Sequence, residues 1–499
     1  MKIRILFWLG VVLSFVLGAQ ANVTVTGASG GAGISADTAV SGGTAAWTTL
    51  GPIRIDEGAK GDFAAGSGVT LVLKAPAGFE FNTSSIPSIS FAAGADITGA
   101  SVAINNPTTI TATFTVSGTG SKNDVLTIGN TGLQVRPVQA APLPAALHLY
   151  RPSSGGGTAT IAGVTTSTDG SSGSNFGSLS EAAGSFVKLQ LLMPGETASP
   201  GAASGKTGSP TAEIAGTAFN VTVNGVDTNW NVVPGASGAS FTVHLASSDV
   251  NATIPADASL TSGTHVFSVI FRTAGSAALT ASDASDGTKT SSTSPTTTIN
   301  VGAFSKLQIL APGESAVPGS STGRSGSPSP QVAGVAFSVA VNAVDANWNP
   351  ISTNDIVAIT SSDGNAVLPP NASLSGGTGT FNVTLKTAGT RTVTGSDVTH
   401  NGIAANTSSA ISVAPAAFVQ LQLLMPGETA VPGTASGKTG SATSEIAGVA
   451  FTITVNAVDS FWNLIGSVTD TIGFTSSDSN AILPANTPLT AGTGNFNIT

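Results

Sequence analysis

The chain repeats itself at long intervals. A stretch of the form Phe-x-x-Leu-Gln-x-Leu-x-Pro-Gly-Glu begins at Phe186, Phe304 and Phe418, at steps of 118 and 114 residues. Two further landmarks follow at nearly the same spacing. A turn-like Asp-x-x-Trp-Asn begins at Asp227, Asp345 and Asp459, and a Ser-Ser-Asp triplet begins at Ser247, Ser361 and Ser476. A unit of this length matches a whole β-sandwich domain and exceeds one coil of a solenoid. We therefore expect three folded domains in series.

Within a repeat, apolar and small polar residues alternate. Ala336 to Val344 and Thr380 to Leu385 are examples in the second copy, and Pro, Gly, Asn and Asp clusters separate such stretches. This period of two predicts strands with one buried face, and no stretch favours a helix. We predict an all-β chain of tandem immunoglobulin-like β-sandwiches, each with two packed sheets.

The first part of the chain does not share the repeat but has the same alternation, for example over Thr109 to Val116. We predict a separate N-terminal β-sandwich over 22–165 and a flexible Gly/Ser/Thr-rich linker over 166–185. The predicted repeats are 186–303, 304–417 and 418–499. Compared with the second copy, the third is truncated by roughly 33 residues, which predicts a fragment of a longer product.

The N-terminus predicts export. Lys2 and Arg4 precede an apolar run from Ile5 to Leu17, and the small-residue site Ala19-Gln20-Ala21 follows. This is a signal-peptide pattern over 1–21, with cleavage before Asn22. An uncleaved anchor is the alternative, but the run is too short to span a bilayer. We expect an extracellular or cell-surface protein that is not inserted in the membrane after cleavage.

Composition excludes several classes of function. The chain contains no cysteine, which rules out thiol nucleophiles, disulfides and cysteine zinc sites. The formal net charge is −9 and only 9% of residues are charged, so the chain lacks the basic surface that nucleic acid requires. No His or carboxylate constellation recurs from copy to copy. We therefore predict no catalytic residues, no metal ligands and no cofactor.

The stretch from Ala336 to Pro350, followed by Ser361-Ser-Asp and by Thr387 to Val393, resembles the bacterial immunoglobulin-like repeats of invasin- and intimin-type adhesins. Their usual pattern is a strand, a Val-x-Asp-x-x-Gly-Asn-Pro turn, and a late Ala-Gly before another strand. The resemblance covers about 186–499. It implies the immunoglobulin-like fold and a role at the cell surface, although such repeats also serve as spacers in exported enzymes. The chain departs from the pattern by placing Trp where the turn commonly has Gly.

Two sets of side chains in this turn are candidates for function. The tryptophans, Trp230, Trp348 and Trp462, either pack between domains, which we favour, or present flat faces to sugars or proteins. The alternating oxygens of Asp227 and Asn229, and of Asp345 and Asn347, resemble the start of a calcium loop. The third copy has Phe461 in place of the second of these residues, which favours a plain turn held by Asp side-chain hydrogen bonds.

These observations predict an exported structural or adhesive protein whose repeats act as a stalk or adhesion module. Its partners would be proteins or glycans on a host or neighbouring cell, and which of these is left open. One alternative is a polysaccharide-binding protein. Another is the spacer region of a secreted enzyme whose catalytic domain lies beyond Thr499.

Overall fold

The structure is a computed structural model and describes residues 22–41, 45–93, 95–120, 124–143 and 145–499. The predicted signal peptide over 1–21 lies outside these residues. The described part of the chain is built from strands, with one short 3-10 helix at Ala36–Thr38 and no α-helix. Within it, no helix is long and apolar enough to cross a bilayer. The predicted all-β class and the tandem immunoglobulin-like sandwiches are confirmed.

The N-terminal domain encloses one hydrophobic core between several small sheets. In Thr109–Val116 every second residue is buried, as the alternation in the sequence predicts. This strand is the centre of a three-stranded antiparallel sheet, between Gly66–Lys74 and Ile97–Asn106. The other strands are Thr24–Thr26, Ile34–Ser35, Thr48–Thr49, Ile53–Asp56, Phe79–Phe81, Ile89–Phe91, Val125–Ile128, Gln134–Pro137, Leu147–His148, Ser178–Leu179 and Glu181–Ala182.

The segment 166–185 is part of this domain, and the prediction of a flexible linker is wrong for it. Ser178–Leu179 pairs with Leu147–His148, and the side chains of Phe176 and Leu179 are fully buried in the N-terminal core. Its glycines allow close packing, because a side chain at Gly170 would overlap the backbone of His148. The Gly/Ser/Thr composition suggested freedom, but two apolar anchors fix the segment.

The first and second repeats each have a three-stranded antiparallel sheet, a four-stranded antiparallel sheet, and a short strand that pairs in parallel with the last strand of the repeat. The first repeat has strands Lys188–Leu192, Glu196–Ala198, Lys206–Gly208, Glu213–Ile214, Ala218–Val226, Thr242–Ser247, Ala258–Ser259, Thr264–Ile270, Gly275–Ala277, Leu279–Asp283, Ser292–Thr293 and Thr297–Asn300. The second has Lys306–Leu310, Glu314–Ala316, Arg324–Gly326, Gln331–Val332, Ala336–Val344, Ile356–Ser361, Ala372–Ser373, Thr378–Thr384, Gly389–Arg391, Val393–Asp397, Asn406–Thr407 and Ile411–Ala414.

The third repeat follows the same plan over the residues it shares with the others. Its strands are Gln420–Leu424, Glu428–Ala430, Lys438–Gly440, Phe451–Val458, Thr471–Ile472, Thr487–Pro488 and Thr493–Ile498. Leu421 and Leu423 are 46% and 47% exposed, although their counterparts Leu189 and Leu191 in the first repeat are buried. In the first repeat, Leu279–Asp283 and Ser292–Thr293 lie against the strand that carries these leucines.

A buried polar ladder recurs in all three repeats. Gln190 donates from Nε2 to the carbonyl of Gly205 (2.7 Å) and accepts from Nδ2 of Asn224 (2.9 Å). Gln308 and Gln422 make the corresponding bonds in the other copies. Because a buried amide is costly unless paired, the ladder fixes the loop around Gly205 against the first sheet. That loop supports the candidate site.

Candidate functional site at the domain junctions

The Asp-x-x-Trp-Asn segment, hereafter the turn motif, follows the longest strand of each repeat and is folded by its first residue. One carboxylate oxygen of Asp227 accepts the backbone N–H groups of Asn229 (2.8 Å) and Asn231 (2.9 Å). Asp345 and Asp459 accept the equivalent pairs in their copies. These bonds close an Asx-type turn, which is the plain-turn interpretation of the sequence.

The Trp of the turn motif has a left-handed backbone conformation, which glycine usually adopts. Trp230, Trp348 and Trp462 have φ values of 69°, 67° and 65°. A bulky residue in this left-handed region is strained, at a cost on the order of 1–2 kcal/mol. The turn therefore keeps the conformation for which related turns use glycine, and the packing of the Trp ring must offset the strain.

The ring packs inside its own repeat. Trp230 lies on Gly205, where any side chain would overlap it, and its Nε1 donates to the carbonyl of Ala203 (3.2 Å). Lys188 places its ammonium 3.5 Å from the ring centroid and also donates to the carbonyl of Thr228 (2.7 Å). Burial lowers the pKa of Lys188. The cation, the ring and the glycine loop form one packed unit.

The second and third repeats vary this unit slightly. Lys306 lies 3.4 Å from the centroid of the Trp348 ring, and Gly323 supports the ring as Gly205 does. Gln420 stands at the lysine position of the third repeat and donates from Nε2 to the carbonyl of Asp459 (3.3 Å). These ring contacts are made within one repeat, and the packing of the rings between domains that the sequence favoured stays a prediction.

The residues on either side of Trp make the interdomain contacts instead. Asn349 donates from Nδ2 to the carbonyl of Arg272 (2.8 Å) and accepts the N–H of Ala274 at Oδ1 (2.8 Å). Both partners belong to the first repeat, and Asn349 is completely buried. The amide side chain thus pairs with the neighbouring domain's backbone as a strand residue would.

The same pairing recurs one repeat later. Asn463 donates to the carbonyl of Lys386 and accepts the N–H of Ala388, both at 2.8 Å. At the contact with the N-terminal domain, Asn231 donates to the carbonyl of Ala140 (2.7 Å). We call the contact made by Asn231 the first junction, that made by Asn349 the second and that made by Asn463 the third. All three are built on the Asn that follows Trp.

The other carboxylate oxygen of the motif's Asp ties the connecting segment to the junction. Oδ2 of Asp345 accepts the N–H of Gly302 (2.9 Å) and the Asn349 side chain (2.9 Å). Oδ2 of Asp227 accepts from Gly184 and Asn231 in the same way. Each carboxylate therefore accepts four hydrogen bonds, which is about its full capacity. This leaves no lone pair of Asp227 or Asp345 for the calcium ion considered from the sequence.

The Ser-Ser-Asp landmark builds the opposite half of the junction. Asp249 accepts the N–H groups of Arg272 (2.7 Å) and Thr273 (3.0 Å) and the Thr273 hydroxyl (2.7 Å). Burial opposes ionisation, but these hydrogen bonds hold the pKa of Asp249 below its usual value. The loop is thereby fixed where Asn349 pairs with it, and Asn251 reaches the carbonyl of Pro318 in the next repeat (3.3 Å). The landmarks that define the repeat meet at its junctions.

The third residue of the motif varies from junction to junction. Asn229 donates to Asp37 of the N-terminal domain (2.8 Å). Asn347 accepts from Nη1 of Arg272 (3.1 Å) in the first repeat. Phe461 packs against the core of the second repeat, with the ammonium of Lys386 6.0 Å from its ring centroid. The residue at this position therefore differs with the neighbouring domain, whereas the Asn two positions later is the same in all three repeats.

Comparison with known proteins gives matches among solved structures only. No protein-family model matches the chain, and no curated protein matches it. The D0-D1 domain of intimin is 14% identical, with 41% of this chain and 94% of that chain covered and a TM-score of 0.18. FdeC, an Escherichia coli adhesin, is 12% identical, with 79% and 96% covered and a TM-score of 0.26. Domains 5-6 of the S-layer protein SbsC are 21% identical, with 41% and 92% covered and a TM-score of 0.15.

Intimin-type domains, expected from the sequence, are thus among the solved structures that this chain resembles. At these identities the likeness concerns the β-sandwich fold alone.

Proposed function

We infer that the chain is an exported structural or adhesive protein of the cell surface, in which docked repeats form a stalk. The observation that carries this inference is the recurring junction. Asn349 and Asn463 pair in the same way with the backbone of the preceding repeat, at the ends of two successive units. A chain selected only for independent domains would not need buried, directional hydrogen bonds between them.

A stalk holds another part of a protein at a distance from the cell, and we propose that the repeats have this role. Regular docking gives a fixed length per repeat, because each unit is related to the next by the same contacts. The charge of −9 is compatible with partners on a neighbouring or host cell, either proteins or glycans. The repeats contribute reach and stiffness in this proposal, and no catalytic step is assigned to them.

Surface display and length are tested together. The native gene and a version lacking 304–417 are expressed in the source cells, and intact cells are labelled with an antibody against the N-terminal domain. The deletion joins the first repeat to the third, so the Asn463 side chain can pair with Arg272 and Ala274. We expect both proteins to be labelled on intact cells, with the label closer to the surface after deletion. Labelling only after cell lysis would refute the proposal.

A further inference from the structure

One end of the second repeat brings together a histidine and two carboxylates that the junctions do not use. Asp355 immediately precedes the strand Ile356–Ser361, and Asp397 ends the neighbouring strand Val393–Asp397. The two strands pair with Val357 opposite Asp397, so Asp355, two residues before Val357, lies diagonally across from Asp397 on the same face of the sheet. His400 follows in the turn after the second strand.

The potential ligand atoms of these three residues converge. One atom from each of Asp355, Asp397 and His400 lies within 4.8 Å of the others. His400 Nδ1 lies 2.7 Å from Asp355 Oδ2. The Asp355 side chain is only 7% exposed, whereas that of His400 is 63% exposed. The cluster is therefore buried at Asp355 and open to solvent at His400.

Hydrogen bonds hold the two carboxylates in place from behind. Thr353 donates its hydroxyl to Asp355 Oδ1 (2.6 Å), which leaves Oδ2 directed at His400. Asp397 Oδ1 accepts the N–H groups of Thr399 (2.7 Å) and His400 (3.1 Å). Metal-binding carboxylates are commonly oriented by hydrogen bonds of this kind from neighbouring residues.

The second oxygen of Asp397 points independently to a missing partner. Asp397 Oδ2 is buried and accepts no hydrogen bond from any described residue. A buried carboxylate oxygen without a donor or cation is costly. Because Asp355 in the same cluster is also acidic, a cation is a partner that would satisfy Asp397 Oδ2 and offset the repulsion between the two carboxylates.

We propose that Asp355, Asp397 and His400 bind a divalent first-row transition metal ion, with Zn²⁺ as the representative. An imidazole nitrogen with two carboxylate oxygens suits such an ion better than Ca²⁺ or Mg²⁺, which prefer oxygen ligands alone. Three protein ligands leave a fourth position on the exposed His400 side for water. The bound ion would join two strand ends and the following turn of the second repeat.

The first repeat provides a natural contrast. Phe241 and Asp286 occupy the positions of Asp355 and His400 there, so only the carboxylate of Asp283 is retained. Elsewhere in that repeat, His244 and Asp257 form an exposed pair at 2.8 Å. That pair resembles the His400 and Asp355 contact, and it lies outside any described cluster of three metal-ligating side chains. It serves as the matched control.

Zn²⁺ binding to the untagged chain 22–499 is measured by isothermal titration calorimetry, in parallel with His400→Ala, Asp397→Asn and His244→Ala. Calorimetric melting of each variant reports whether it is folded, and Ca²⁺ and Mg²⁺ are titrated for comparison. We expect one Zn²⁺ per chain, at least about tenfold weaker binding in His400→Ala and Asp397→Asn, and no change in His244→Ala.

Saturating Zn²⁺ should also raise the melting temperature of the second repeat in the native chain and leave it unchanged in His400→Ala, because binding to the folded state alone stabilises it. His400 is exposed, so its replacement leaves the fold intact and keeps the test decisive. Absence of stoichiometric Zn²⁺ binding overturns the proposal, as does equal binding by the native chain and folded His400→Ala. Tighter binding of Ca²⁺ than of Zn²⁺ would also overturn it.

Discussion

The second and third junctions share a frame and differ in one side chain. In both, a buried Asn, Asn349 or Asn463, pairs with a carbonyl and an N–H of the preceding repeat. Two residues earlier, the second junction has Asn347 hydrogen-bonded to Arg272, whereas the third has Phe461 packed on the preceding core. Gly216 and Gly334 make room for these different side chains, because any side chain at either position would overlap them.

The difference separates two tasks. Pairing with backbone groups does not depend on the neighbour's side chains, so the same Asn serves at every junction. The residue beside it meets side chains that differ between domains, and it changes with them. We therefore expect substitutions in the shared frame to cost more than substitutions at the variable position.

The largest effect is expected for Asp345→Ala. This change removes a buried carboxylate that accepts four hydrogen bonds. The donors are the backbone N–H groups of Asn347, Asn349 and Gly302 and the side-chain amide of Asn349. The loss should destabilise the second repeat by about 3 kcal/mol or more. Calorimetric melting of the chain measures it, with the exposed Asp257→Ala as control. Equal melting of the two variants would show that the turn does not depend on the carboxylate.

Asn349→Ala should be the next largest. It removes both bonds to the first repeat and leaves a carbonyl and an N–H without partners, at a cost of about 2 kcal/mol in docking. Limited proteolysis between the first and second repeats should accelerate, because the connecting segment becomes accessible when the domains separate. The exposed Asn371→Ala is the control. Unchanged cleavage rates would contradict the role given to the Asn349 side chain.

Exchanging the variable residue should cost about 1 kcal/mol. Phe461→Asn gives the third junction the residue of the second, but Lys386 stands where the second junction has Arg272. We expect Phe461→Asn to loosen the junction and Lys386→Arg to restore part of the loss, since Arg272 donates to Asn347 at this position. A double-mutant cycle on the proteolysis rate measures the coupling, and strictly additive effects would argue against direct pairing.

Lys306→Gln should have a smaller effect, about 0.5–1 kcal/mol, because it introduces the residue that the third repeat has at this position, Gln420. The substitution removes the ammonium from Trp348 and its bond to the carbonyl of Ala346. Calorimetry of the second repeat reports the stability change, and Trp fluorescence reports the ring environment. A variant that is as stable as the native chain would assign the ring's support to Gly323 alone.

The N-terminal domain carries a half-buried carboxyl group, Glu181, whose proton affinity burial alters. Burial raises the pKa of Glu181 to about 7 from 4.5, although the N–H of Leu143 donates to it. The folded state therefore holds this proton more tightly than the unfolded state, so stability falls as pH rises from about 4.5 to about 7. The N-terminal domain should melt higher at about pH 5.5 than at about pH 7.5. Glu181→Gln should reduce this difference, and an unchanged pH dependence would exclude Glu181 as its source.

The alternation of apolar residues predicted the strands and the class of fold, because burial of one face requires that period. The Asp-x-x-Trp-Asn pattern likewise predicted a turn that hydrogen bonds of the Asp side chain hold in place. The role of Asn349 was not predicted, since its partners lie 75 and 77 residues away and are backbone groups with no sequence signature. The recurrence of this Asn after the Trp of each of the three turn motifs, beside a position that varies, was the available signal.

Two other features needed three-dimensional information. The composition of 166–185 indicated a linker, but Phe176 and Leu179 outweigh its small residues by filling the N-terminal core. His400 meets Asp355 only because strand register brings positions 45 residues apart to one sheet end. Single-residue patterns do not encode register, so the cluster was not predicted.

The central claim is that buried Asn side chains dock successive repeats. Small-angle X-ray scattering of the chain 22–499 tests it most directly, by comparing the native protein with Asn349→Ala/Asn463→Ala and with Asn371→Ala as control. We predict one narrow distribution of interatomic distances for the native protein and the control, and a broader one for the double variant with each repeat still folded. Identical distributions for all three proteins would contradict the account.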